Sequence, residues 1–176
     1  KCIVNHSCYF GATNNNYTEF DKLDKHRVCG IKLFMGSSTG NMLVDKMNSL
    51  LNIFNGTDML IAAHCEDQET IKNNIEKYKQ KYKGADDIPV SAHPSIRSVP
   101  ACYASSELAV RLAKIAGARL HILHVSTAKE LQLFSDEPLA NKNITAEACV
   151  AHLLFTLTHY NSLGARIKCN PAVKQI

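Results

Sequence analysis

A chain of 176 residues, 45% hydrophobic and 20% charged, is long enough for one real core and too apolar to be disordered or fibrous. Its net charge of +4 is dispersed, with lysines interleaved among acids over 21–27 and 72–83, which is a solvated helix surface and argues against a nucleic-acid partner. No apolar run reaches membrane-spanning length, and seven cysteines without a Cys-x-x-Cys pair read as buried free thiols of a reducing cytoplasm, not as a disulfide or zinc framework.

No secretory signal precedes the first element, so the four glycosylation-type sequons at Asn5, Asn16, Asn55 and Asn143 read as chance matches. Residues 2–10 (CIVNHSCYF) are aromatic and β-branched and predict a strand ending in the polar 11–14 loop. A short helical pattern over 18–24 follows. Gly30-Ile31-Lys32-Leu33-Phe34-Met35-Gly36 then reads as a buried parallel strand, and Lys32 is out of place in it, because a desolvated ammonium loses its hydration. Either Lys32 snorkels to water near the strand's end, or its depressed pKa makes it a nucleophilic amine that carbon dioxide can convert to an anionic metal ligand.

Residues 41–54 place Met42, Leu43, Met47, Leu50, Leu51 and Phe54 on one helical face. A strand over 58–64 (DMLIAAH) delivers His64 at its end, followed by a charged helix from about 68 to 82. Residues 89–94 predict a connecting loop carrying His93, with Arg97 just beyond it. An amphipathic helix over 101–116 stops at Gly117. The strand 119–125 (RLHILHV) holds His121 and His124, which three-residue spacing sends to opposite faces. Ser126-Thr127 caps a short helix through Leu133, 143–149 (NITAEAC) is a further strand, and 165–169 (ARIKC) is a short extended piece before Asn170-Pro171.

Strands alternating with helices at about thirty-residue spacing imply βαβ units and a parallel sheet within one domain. Length alone favours an open doubly wound sheet, since a whole (β/α)8 barrel needs about 200 residues or more. The polar residues point the other way: Lys32, His64 and His124 each end a different strand, and in a barrel those ends converge on one mouth. Taken singly, a strand-end histidine is more often a hydrogen-bonded core residue.

At these positions the chain resembles the cyclic amidohydrolases of the amidohydrolase superfamily, and most closely the dihydroorotases. The motifs are GIKLFMGSSTGN around Lys32, AHCED around His64, HPSIRS followed by SSELAVRLA, LHILHVSTAKEL around His124, EACVAHLLF from Glu147 and KCNPAVK around Asn170. The resemblance implies a (β/α)8 TIM barrel of the metal-dependent hydrolase type, of which residues 1–176 form a partial domain covering roughly strands three to seven. It implies two zinc ions per full-length chain, bridged by a carboxylated Lys32, with His64 and His124 holding the second ion and His121 left to face outward or pack. Asn170 matches a position on the substrate's carboxylate side.

The family's His-x-His pair and its acid/base aspartate have no counterpart here, so no catalytic residue is secure and the chain alone is expected to be inactive. The implied activity is reversible zinc-dependent hydrolysis of dihydroorotate to N-carbamoyl-L-aspartate in pyrimidine synthesis, with a small-molecule substrate and a homodimer left open. Two alternatives stand: another cyclic amide hydrolase (dihydropyrimidinase or hydantoinase, or allantoinase), and an inactive amidohydrolase-like structural subunit. His93 and Arg97 read as structural more readily than functional, Glu147 and His152 as supports for metal-binding groups, and 37–40 lacks the ending a phosphate loop requires.

Overall fold

In the computed structural model, which describes residues 3–36, 40–84, 86 and 88–174, five strands build one parallel sheet. They are β1 (Cys8–Gly11), β2 (Val28–Phe34), β3 (Ile61–His64), β4 (Leu120–Ile122) and β5 (Ile144–Ala146), laid side by side in chain order. Parallel neighbours need long crossovers, usually helical. Here α1 (Met47–Asn55) joins β2 to β3, and α2 (Gln68–Lys81), the one-turn α3 (His93–Ile96) and α4 (Val99–Ala116) join β3 to β4, while β1 reaches β2 through the 3₁₀ turn Tyr17–Lys22 and β4 reaches β5 through 3₁₀ turns, with α5 (Val150–Leu154) and α6 (His159–Leu163) after β5.

Strand order decides between the two architectures. An open doubly wound sheet reverses its order at a switch point, whereas this one runs from β1 to β5 without reversal, as a (β/α)8 barrel does.

Side chains alternate across the two faces. Ile31, Leu33, Ile61, Ala63, Leu120 and Ile122 are buried together with Leu50, Ile53 and Phe54 of α1 and Ala109, Val110, Leu112 and Ala113 of α4, a continuous apolar layer that is the main core. The opposite, inner face carries the row Lys32, Ala62, His121 and Thr145, in register on four successive strands, and above it Phe34 beside His64.

Several boundaries differ from the sequence expectation. The first strand is Cys8–Gly11 and not 2–10; Ile3 and Val4 are exposed, and Cys2 lies outside the described residues. The helix expected over 41–54 begins only at Met47. Val44 instead donates its backbone N–H to Phe34 O at 2.9 Å, and Met42 fills the space that a Cβ at Gly11 would occupy, so those apolar residues serve the sheet and not a helical stripe. The 89–94 loop contains a 3₁₀ turn, Val90–Ala92, leading into α3. The piece 165–169, expected extended, is a 3₁₀ turn, Gly164–Ile167, entered through Gly164 at φ 55°.

Gly117 acts as read and ends α4 in the left-handed conformation, and Asp67, not singled out from the sequence, accepts from Thr70 N–H to start α2. Thr127 accepts from Glu130 N–H to start a turn over Ala128–Leu133, although that turn is 3₁₀ and not α-helical. Most of the 37–40 loop lies outside the described residues. Among the described residues no helix is long and apolar enough to cross a membrane.

Candidate metal centre

The mouth of the sheet is where the strand-end residues meet. β3 ends at His64, whose neighbour on β2 is Phe34. β4 ends at Ile122, and Leu123 N–H still bonds Ala63 O at 3.0 Å. His124 then takes φ 42°, uncommon for any residue bearing a Cβ. That bend carries the His124 ring toward β3, where its Nε2 faces His64 Nδ1 at 3.1 Å with the rings 4.8 Å apart and steeply inclined.

Lys32 lies on the same inner face, half-buried. Its ammonium donates to Leu33 O at 3.1 Å and sits 3.6 Å above the Phe34 ring. Burial lowers its pKa to about 8. About a tenth is therefore neutral amine at pH 7, the form that reacts as a nucleophile. The His124 pKa falls to about 4, through burial first and then the His64 and Lys32 charges, so the ring is a neutral imidazole at physiological pH.

His64 has a second partner that sequence reasoning passed over. Its Nε2 lies 3.0 Å from Oε2 of Glu66, a carboxylate with no exposed surface, and Arg97 Nη1 donates to the same oxygen. Burial acts to raise the Glu66 pKa, but the His64 hydrogen bond and the Arg97 charge overcome it and hold the carboxyl below its usual range. The sequence carried one signal for this, a carboxylate two residues after a strand-end histidine. For Arg97, thirty-one residues further on, it carried none.

The remaining candidates separate. Of the two placements left open for His121, facing outward or packing, it takes the second: it shares the Lys32 row, because β4 stops at Ile122 and the bend at His124 departs from strand alternation. His121 contacts Thr145 Oγ1 at 2.8 Å and Glu147 Oε2 at 3.3 Å. His93 is buried, bonding Cys169 O at 2.8 Å, and His152 bonds Pro171 O at 2.9 Å; both tie the C-terminal segment down. Asn170 is exposed and lines a cavity of about 380 Å³ with His93, Arg97 and Lys168, which the histidine pair does not line.

The residues present fit a cation in part. Two imidazole nitrogens bound to one tetrahedral zinc at 2.0–2.1 Å stand about 3.3 Å apart, close to the observed 3.1 Å. The other ring nitrogen of His64 is carboxylate-bound, the arrangement that metal-ligating histidines adopt, while the buried His124 Nδ1 has no partner. Among the described residues no three of His, Cys, Asp and Glu converge as a cation site.

No protein-family model matches the chain. Curated relatives do. A dihydroorotase of Methanosphaera stadtmanae is 27% identical over 93% of this chain and 39% of its own length. An allantoinase of Escherichia coli K12 is 25% identical over 94% of this chain and 38% of its own. Among solved structures, L-hydantoinase (dihydropyrimidinase) from Arthrobacter aurescens superposes with a TM-score of 0.84 at 23% identity, covering 96% of this chain and 38% of that one. This chain is similar in sequence to a dihydroorotase and to allantoinases, and in fold to hydantoinases. D-hydantoinase from a Bacillus sp. AR9 shares the fold at a TM-score of 0.78 and 18% identity. The chain spans about two fifths of the length of the curated relatives it matches.

Proposed function

We propose that the protein is a dihydroorotase, hydrolysing the ring amide of dihydroorotate to N-carbamoyl-L-aspartate, with Lys32, His64 and His124 as metal-binding residues. The observation that carries the metal assignment is the 3.1 Å approach of His64 Nδ1 to His124 Nε2 at the ends of adjacent strands, beside a lysine of lowered pKa on the same inner face. When bound, a divalent cation lowers the pKa of water and polarises a carbonyl, the two demands of amide hydrolysis.

The chain's own residues have separate tasks. The neutral Lys32 amine adds to carbon dioxide through its nitrogen and releases one proton, leaving a carbamate whose oxygens are metal ligands. His124, neutral at working pH, offers a lone pair, and the His64 ring turns Nδ1 toward it. Asn170, with Lys168 across the same cavity, stands in a cationic environment suited to a carboxylate-bearing substrate.

Support for dihydroorotate as substrate comes from the motifs around Lys32, His124 and Asn170 and from the dihydroorotase relative. A second reading, allantoinase, is favoured by relatives of nearly equal identity covering the same stretch. Turnover of dihydroorotate, allantoin and dihydrouracil by the full-length protein with zinc separates them. Dihydroorotate alone supports the first reading, allantoin alone the second, and absence of all three activities in zinc-loaded protein overturns both.

A further inference from the structure

We infer that Glu66, held by Arg97, is a positioning residue that fixes His64 in its Nε2–H form and so turns the Nδ1 lone pair toward His124. A buried carboxylate only accepts hydrogen bonds, so the imidazole nitrogen facing it carries the proton. That nitrogen is Nε2, 3.0 Å from Glu66 Oε2. The remaining nitrogen, Nδ1, is the one aimed at His124 Nε2.

Three constraints keep Glu66 where this works. Gly36, after β2, lies against its backbone so closely that a Cβ there would stand 1.9 Å from Glu66 O. The next residue, Asp67, donates its N–H to Ala101 O of α4 at 2.9 Å. Arg97, from the junction of α3 and α4, brings a permanent cation to Oε2. Without that cation a fully buried carboxylate would be strongly disfavoured, and with it the acceptor is ready before any metal arrives. Arg97 also lines the cavity that holds Asn170, so the same side chain touches the proposed substrate side and the support of a proposed metal ligand.

The consequence for metal affinity rests on the reading of His64 and His124 as ligands of one cation; the tautomer does not. The experiment uses full-length protein labelled with ¹⁵N-histidine, with the His64 signals assigned by their loss in His64→Gln. Long-range proton–nitrogen correlation in metal-free protein is expected to show protonated Nε2 and bare Nδ1 at His64. Glu66→Gln, whose amide can donate or accept, is expected to mix the two forms and weaken zinc binding by about 10–100-fold, with partial recovery in Glu66→Asp.

A His64 proton on Nδ1 in the wild type overturns the inference, as does a Glu66→Gln protein with unchanged tautomer and unchanged zinc affinity. A purely structural ion pair would lower the melting temperature and move neither readout. If Glu66→Gln does not fold, the wild-type spectrum decides alone. If the wild type binds no zinc, the metal assignment fails while the tautomer still tests Glu66.

Discussion

His64 and His124 are brought face to face by one irregular residue: β4 ends at Ile122, two residues before His124, and His124 turns through φ 42° to place Nε2 3.1 Å from His64 Nδ1. On a regular strand the alternation that puts His121 on the inner face would also keep it on every second residue, 121 and 123, and send His124 outward. The left-handed bend reverses that, at a cost of order 1 kcal/mol or more. Local strain of this kind, at a strand end beside a buried carboxylate, is where chemistry is usually built.

Removing either ring should therefore remove the cation. His64→Ala and His124→Ala are each expected to weaken zinc binding by at least about tenfold in the full-length protein, measured by competition with a chromophoric chelator, since each deletes a ligand and not merely its support. His121→Ala, which leaves both rings in place, should retain most of the affinity. Equal loss in all three variants would mean that the inner face had collapsed and that the pair has no special role.

Much of this was legible in the chain. Lys32 was conspicuous because a cation interrupts an apolar strand, and His64 and His124 because each closes a strand. What escaped depended on distance or on backbone detail. Arg97 reaches Glu66 across thirty-one residues, and no local pattern encodes that. Three-residue spacing sends His121 and His124 to opposite faces of a regular strand, but the strand has ended before His124, so both reach the inner side. Met42 and Leu43 look helical by spacing, yet Met42 packs against Gly11 of β1 and Leu43 bridges to Phe34 of β2, where tertiary contact overrides periodicity.

Gly36→Ala tests how tightly the two strand-end loops are joined. A Cβ at this position meets backbone atoms, Glu66 O at 1.9 Å and Glu66 C at 2.8 Å, which cannot rotate away as a flexible side chain can. Overpacking of this kind is expected to cost about 1–3 kcal/mol, read by denaturant unfolding, and zinc affinity should fall with it because Glu66 is displaced. Gly117→Ala meets no atom within 4 Å, and its positive φ alone should make it the milder change, with no effect on zinc.

The helix-covered face of the sheet should hold most of the stability. Phe54, almost wholly buried between α1 and the strands, is expected to lose about 3–5 kcal/mol on Phe54→Ala, transfer and cavity contributions together. Val150 on α5 is 76% exposed, and Val150→Ala should stay within about 0.5 kcal/mol. Similar losses at both positions, measured by chemical denaturation, would show that α5 belongs to the core after all.

Alkaline pH should expose the buried thiol of Cys102. Burial pushes its pKa up to about 11, against 9.0 for a free thiol. Above pH 9 the unfolded chain has lost this proton while the folded chain still holds it, so the contribution to stability is complete below pH 9 and declines as pH rises through 11. The loss should be on the order of 1 kcal/mol by pH 10. Lys32 titrates with the opposite sign, its lowered pKa making stability rise between about 8 and its ordinary value. The wild type is therefore compared with Cys102→Ala, in which the Lys32 contribution is the same and drops out of the difference. Unfolding free energies at pH 8 and pH 10 should converge between the two proteins as pH rises. A gap that stays constant would place the Cys102 titration outside this range and remove burial as the cause.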